Sequence, residues 1–196
     1  MDQTLEYYNN TVKDYIQDTV DANVTELNSF FLKYIPAGGS ILDLGCGSGR
    51  DSKLYINKGY HVTAVDGSEE FCKLAGSYIG QEVLCMKFDE IEFENEFDGV
   101  WACASILHVS LKDLTVVIEK IAKALKSGGY FFACFKYGDF EGLRNGRYFT
   151  DLTESKLLVL LQEVCELELI ETSITTDVRP ERKDENWLNI ILRKTE

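Results

Sequence analysis

The chain has 196 residues, 33 of them acidic and 20 basic, for a formal net charge of −13. That length supports one domain spanning residues 1–196, since division would leave fragments with marginal cores, and the charge disfavours extended nucleic-acid partners, which would need a concentrated basic patch. No apolar run approaches the roughly 18 to 20 residues of a membrane span, and Met1-Asp2-Gln3-Thr4 is unlike the basic start of a secretory signal, so a cytoplasmic protein with no membrane partner is expected.

Periodicity predicts two leading helices, Val12 to Asp21 and Val24 to Tyr34, the second stopped by Pro36-Ala37-Gly38-Gly39. Ile41 to Leu44 reads as a buried strand that runs into Gly45-Cys46-Gly47-Ser48-Gly49-Arg50. Glycines at 45, 47 and 49 let the backbone turn sharply and approach a bound molecule without Cβ interference, and the helix that follows aims its free N–H groups the same way. Arg50 stands where a dinucleotide fingerprint has its third glycine, and the GKS or GKT ending of a P-loop is missing. Nicotinamide, flavin and nucleoside triphosphate are thereby disfavoured as ligands.

Helix Ser52 to Lys58 leads into a second strand, His61 to Asp66, which ends in an acid about 20 residues beyond the loop, where a carboxylate accepts ribose hydroxyls. After helix Glu69 to Ile79, Val83 to Asp89 repeats the strand-then-acid arrangement, and Phe97 to Cys103 supplies a fourth strand. Helix Leu111 to Lys126 ends at Ser127-Gly128-Gly129. Tyr130 to Lys136 is almost continuously apolar, as a central strand is. Thr153 to Val164 is amphipathic, and Leu167 to Thr175 and Trp187 to Arg193 read as two late strands without a helix between them. The alternation predicts a doubly wound, mostly parallel α/β sheet of seven strands with an antiparallel C-terminal hairpin strand. Six cysteines (46, 72, 85, 103, 134 and 165) form no CxxC pair and are expected as reduced core residues. Two histidines and no thiolate cluster leave no evident metal site.

From about residue 35 onward these motifs resemble the class I S-adenosylmethionine-dependent methyltransferases, a Rossmann-like fold, and look most similar to small bacterial members such as the tellurite-resistance type. The resemblance implies S-adenosylmethionine as cofactor. The Asp43–Gly49 segment would wrap its methionine part, with Gly45 and Gly47 nearest and Cys46 beside them. Asp66, with Gly67, would match the ribose-binding position, and Asp89, with Phe88, the position that reads the adenine amino group. Phe97-Asp98-Gly99-Val100 would be the fourth-strand motif, Ala104 after it would border the cofactor, and Leu125 to Phe131 would be the turn into strand five. Leu5-Glu6-Tyr7-Tyr8-Asn9-Asn10, followed by Tyr15, resembles an opening segment that covers the cofactor. Residues 1–35 would then be a helical lid, with Tyr8 and Tyr15 facing the sulfonium; anchoring of the helix by these aromatics is the alternative. Arg50 either meets the cofactor carboxylate or forms a salt bridge.

In a parallel sheet, ligands gather beyond the carboxyl ends of the strands. The loops Tyr137 to Leu152 and Thr176 to Asn186 should therefore overhang the transferred methyl group. They hold four of the six arginines, Arg144, Arg147, Arg179 and Arg182, which suits a small anionic substrate or, alternatively, pairing with nearby acids. His108, on the cofactor edge after strand four, is the candidate general base or else a packed loop residue, and Tyr137 is a weaker candidate base. The expected function is methyl transfer by in-line displacement to a small acceptor. A tRNA nucleoside methyltransferase and a non-catalytic cofactor-binding regulator are the alternatives, and the oligomeric state is not readable.

Overall fold

The computed structural model describes residues 2–19, 23–179 and 182–195, with the side chains of residue 2 and residues 13–19 outside that description. Two helices, α1 (Asp2–Thr19) and α2 (Thr25–Leu32), precede β1 (Ser40–Leu44), α3 (Arg50–Asn57), β2 (His61–Asp66), α4 (Glu69–Ile79), β3 (Val83–Cys85) and β4 (Phe97–Ala102). A short 3-10 turn, Ile106–His108, leads to α5 (Leu111–Ala124) and β5 (Leu125–Lys136). The chain continues as β6 (Glu141–Arg144), β7 (Arg147–Thr150), α6 (Glu154–Gln162), β8 (Leu167–Thr176) and β9 (Asn186–Lys194). Seven strands form one sheet in the order β3-β2-β1-β4-β5-β9-β8. Pairing is parallel from β3 to β5, and β9 runs antiparallel to both β5 and β8.

The period-2 geometry of strands sorts neighbouring residues onto opposite faces. Val100 and Phe131 are register partners, as are Trp101 and Phe132 one step later. The first pair packs with Leu114, Val117 and Ile121 of α5, and the second with Phe31 and Tyr55 from α2 and α3. Trp101 and Phe132 stack 4.1 Å apart at 15° and are fully buried. Replacing Trp101 by alanine would cost about 3 to 5 kcal/mol in cavity and lost contact. Each face is thus closed by its own helices, and the strand ends are left to carry ligands.

Several boundaries differ from the periodicity reading. The first helix begins at Asp2 rather than Val12 and is interrupted at Thr11 (φ −120, ψ 15), whose Oγ1 donates to the Tyr7 carbonyl. Its N-terminal half is held by contacts with distant residues, which local periodicity does not register; residues 20–22, where the predicted helix was to end, lie outside the described residues. β3 stops at Cys85. β5 begins at Leu125, before the glycine pair, with a register shift that absorbs it. The largest departure is the stretch 137–152, expected as a loop, which contains the antiparallel pair β6–β7. Its turn is Asn145-Gly146, with φ of +52 and +79, the two-residue left-handed turn that suits the twist of a hairpin. Among the described residues no helix is long and apolar enough to cross a membrane.

Candidate functional site

Two clefts open at the carboxyl ends of the strands, about 910 and 890 Å³ with their mouths included. They share Tyr8, Arg50, Cys103, Ala104 and His108, so they meet rather than stand apart. The first is built around the loop after β1. Gly45 sits at φ +83, and a Cβ there would lie 2.4 Å from the Ser105 Cβ. Only glycine lets this loop and the one after β4 touch, and Ser105 secures the contact by donating from Oγ to the Leu44 carbonyl at 2.6 Å. The Asp66 carboxylate accepts from the Gly47 N–H and the Ser68 N–H, both at 2.8 Å. It therefore fixes the glycine loop as well as facing the cleft, and each oxygen keeps a second lone pair for a ligand. Burial holds Asp66 above the ordinary carboxylate range, with those N–H donors offsetting part of the rise.

Asp43, at the end of β1, is buried and accepts from Ser52 Oγ at 2.6 Å. Burial, reinforced by the charge of Asp51, pushes it up to about 7 against the opposing pull of Ser52 and Arg50. Asp51 takes Arg50 side-on, at 3.0 and 2.9 Å, and accepts from the Trp101 indole at 3.1 Å. Three carboxylates thus converge on the first cleft, with Phe71, Phe88 and Tyr8 as its aromatic walls. An acidic and aromatic lining fits a cationic, base-bearing molecule. Burial, followed by the charges of Asp43 and Asp66, pushes the Cys46 thiol upward, so it stays a neutral wall residue.

The second cleft has the opposite character. Arg147, at the start of β7, and Arg179, Arg182 and Lys136 line it together with Trp187, Phe149 and Asn189. Arg179 is paired through two N–H···O bonds with Asp177. Burial alone would raise Asp177, but the Arg179 donors outweigh that and bring it to about 2. Lys136 pairs with Glu185, while burial and then the neighbouring arginines lower it to about 8. Among the described residues, Arg147 and Arg182 meet no carboxylate within ion-pair distance. Two guanidinium groups without a carboxylate partner among the described residues, in a chain of net charge −13, make this cleft a local inversion of the protein's field.

His108 stands where the clefts meet. Its Nδ1 lies 2.6 Å from the Tyr148 carbonyl, which only accepts, so Nδ1 carries the proton and Nε2 accepts from the Tyr8 hydroxyl at 2.8 Å. Burial, with the Arg147 charge adding to it and the Tyr148 bond opposing, lowers His108 to about 4. A buried, doubly bonded imidazole of that value is a poor acceptor for an acceptor's proton. These contacts fit the packed-residue alternative for His108, at the place where both readings put it. Tyr137 lies elsewhere: it is 39% exposed, donates to Glu154 at 2.8 Å, and lines neither cleft.

Of the residues expected at the cofactor, Asp43, Gly45, Cys46, Gly47 and Arg50 line the first cleft, joined by Asp66 and Gly67 after β2, Phe88 after β3, Ala104 after β4 and Tyr8 from α1. Asp89 does not: the chain leaves β3 early, and a turn tied by Lys87 N–H to Glu90 at 2.8 Å leaves Asp89 exposed outside both clefts. The Tyr15 side chain lies outside the described residues. Arg50 is salt-bridged to Asp51, as one of its two readings held. Arg147, Arg179 and Arg182 line the second cleft, but Arg144 on the other side of the hairpin turn pairs with Asp151 and lies over Phe140 and Phe149. Sequence reasoning missed Ser105, Lys136 and Asn189. Only Lys136, a lone charge closing an apolar strand, carried a local signal. Ala104 has φ +52 and donates its N–H to Cys134 Sγ at 3.0 Å, so the junction of the clefts is held in an unusual backbone state.

Residues 42–133 match the family model described as a methyltransferase domain. A ubiquinone biosynthesis O-methyltransferase of Xanthomonas axonopodis pv. citri is 33% identical over 118 residues, 54% of this chain and 48% of that protein. Phosphoethanolamine N-methyltransferase 1 of Zea mays is 30% identical over 125 residues, 58% of this chain and 25% of that protein. This chain thus spans about half the length of the first of these curated relatives and a quarter of the second. The same fold occurs in the Burkholderia thailandensis 1,6-didemethyltoxoflavin-N1-methyltransferase, solved with 1,6-didemethyltoxoflavin and S-adenosylhomocysteine, at a TM-score of 0.72 and 22% identity over 98% of this chain and 91% of that one. None of these relatives is of the tellurite-resistance type, and that finer likeness finds no support in them. The matched segment contains the glycine loop and the strand ends that build the first cleft, so residues 42–133 are similar to a methyltransferase domain and the whole chain has the fold of the solved S-adenosylmethionine-dependent methyltransferases.

Proposed function

We propose that this chain binds S-adenosylmethionine in the first cleft and transfers its methyl group to a small anionic acceptor held in the second. The observation that carries this reading is the reversal of charge between two clefts that meet at Ala104 and His108. S-adenosylmethionine bears a sulfonium and an ammonium, and Asp43, Asp51 and Asp66 suit them and the ribose hydroxyls. When bound, it supplies a methyl group for direct displacement from sulfur. Arg147 and Arg182, with Arg179 and Lys136 beside them, suit a carboxylate or phosphate. Phosphoethanolamine, in the maize relative's name, carries such a group.

The chain's own contribution is positioning, which accounts for up to roughly 7 to 11 kcal/mol in well-oriented intramolecular reactions. Tyr8 and the α1 segment around it cover the first cleft through Thr4 and Leu5 and limit water access. His108 fixes the Tyr8 hydroxyl rather than removing a proton. The acceptor therefore attacks through a lone pair already present on nitrogen, sulfur or an ionised oxygen.

Production of S-adenosylhomocysteine from S-adenosylmethionine, measured by mass spectrometry against a panel of small carboxylates and phosphates and their neutral methyl esters, tests this. Turnover with anionic members and little with their esters is expected. Equal turnover with the esters would overturn the anionic assignment, and no turnover across the panel would favour a cofactor-binding regulator.

A further inference from the structure

Arg147 occupies a position that the acceptor reading alone does not explain. Its guanidinium lies over the rings of Tyr7 at 4.9 Å, Phe149 at 5.2 Å and Tyr8 at 5.8 Å. Nη1 donates to the Tyr8 hydroxyl at 3.4 Å, whereas Nε is buried with no hydrogen-bond partner. A guanidinium presents Nε–H and one Nη–H along a single edge that matches the two oxygens of a carboxylate or two oxygens of a phosphate. That edge is unused here, while the opposite corner is committed to α1. A buried donor without a partner is unfavourable, so the site favours a ligand that satisfies it.

The residues that Arg147 touches hold α1 over the first cleft. Tyr8 donates to His108 and its ring meets Phe71 of α4 edge-on. Thr4 Oγ1 accepts from the Tyr148 N–H at 2.9 Å, one residue after Arg147. Asn9 accepts from Ser68 Oγ at 2.6 Å, two residues beyond Asp66. The cation at Arg147 is therefore built into the closure of the cofactor cleft, although it lines the acceptor cleft.

We propose that the Nε/Nη2 edge of Arg147 is an oxyanion subsite whose occupancy closes α1 over the cofactor, so that the acceptor's carboxylate or phosphate and the adenosyl cofactor strengthen each other's binding. This rests on the cofactor reading above and deepens it. An oxyanion on that edge neutralises the guanidinium held between Tyr7 and Phe149 without displacing its bond to Tyr8. Neutralisation also removes a cation from the neighbourhood of the sulfonium, so the effect is larger for S-adenosylmethionine than for uncharged-sulfur S-adenosylhomocysteine. Reciprocity of linkage requires the cofactor to tighten the anion by the same factor.

The test is calorimetric titration of the full chain with each cofactor, in sodium chloride alone and with sodium benzoate or sodium phosphate at matched ionic strength. At least one oxyanion should lower the Kd for S-adenosylhomocysteine about fivefold or more, and that for S-adenosylmethionine further. Arg147→Gln should bind S-adenosylhomocysteine with no response to either anion, and Tyr8→Phe, which removes only the hydroxyl, should show a reduced response. A wild-type protein that binds S-adenosylhomocysteine without responding, or an Arg147→Gln protein that responds like wild type, overturns the proposal. Failure of both cofactors to bind under every condition overturns the cofactor reading itself, and this inference with it.

Discussion

The two clefts are made in different ways. The first is made by backbone: parallel register brings the ends of β1, β2 and β4 together, Gly45 lets two loops touch, and Asp66 holds the glycine loop through two N–H groups. The second is made by long side chains projecting from a hairpin turn and from the loop between β8 and β9, and among the described residues Arg147 and Arg182 meet no acid. A site fixed by backbone register tolerates little change, whereas one built from arginines on turns can be re-aimed by a few substitutions. On the proposed function, that contrast suits a fixed donor and an exchangeable acceptor.

The largest expected effect lies at the hinge between the clefts. His108 ionises near 6.5 in an unfolded chain and near 4 in the folded one, so the unfolded chain binds more protons between those values and stability falls as pH drops through that window. The loss is absent above about pH 6.5 and amounts to on the order of 3 kcal/mol once pH reaches 4. Asp43, raised to about 7 by burial, has the opposite slope between 3.8 and 7, so the wild-type curve mixes the two. Denaturant unfolding of wild type and His108→Gln across pH 4 to 7.5 separates them. The difference curve should flatten above pH 6.5 and shrink below it. A constant difference would mean that His108 is not buried neutral and would revive it as a base.

Next in size is Asp66→Ala. It removes charge-assisted bonds to a ligand and also releases the Gly47 and Ser68 N–H groups, so S-adenosylhomocysteine affinity should fall by about 1 to 3 kcal/mol in a calorimetric titration. Unchanged affinity would show that Asp66 serves only the turn.

The backbone-built cleft was also the legible one. Ile41 to Leu44 with glycines at 45 and 47, and an acid closing the second strand, announce strand-end geometry because local sequence and register decide it. Asp89 shows the limit: its place depended on whether β3 continued past Cys85, and a turn closed by Glu90 ended the strand instead. The side-chain cleft was legible only as a concentration of arginines. For Arg144 and Arg147 the facing depends on the β6–β7 hairpin, whose Asn145-Gly146 turn stands between the two arginines. Arg144 and Arg147 are register partners across the turn, yet Arg147 lines the cleft while Arg144 pairs with Asp151, a division set by distant partners rather than by local pattern. The N-terminal half of α1 was hidden for another reason: Thr4, Tyr8 and Asn9 are held by partners 59 to 144 residues away in sequence, and no local pattern encodes such contacts.

The smallest effects should divide the second cleft from its surroundings. Arg182→Gln removes a guanidinium from the cleft lining, and the KM of whichever anionic acceptor the panel identifies should rise about tenfold, the usual worth of one charge-assisted bond, with S-adenosylhomocysteine affinity unchanged. Tyr137→Phe removes a hydroxyl that bonds Glu154 outside both clefts and should alter neither quantity. If Tyr137→Phe lowers kcat while Arg182→Gln leaves KM untouched, the acceptor sits over the end of β5 rather than beneath the β8–β9 loop, and the cationic lining would belong to solvent electrostatics instead of to substrate choice.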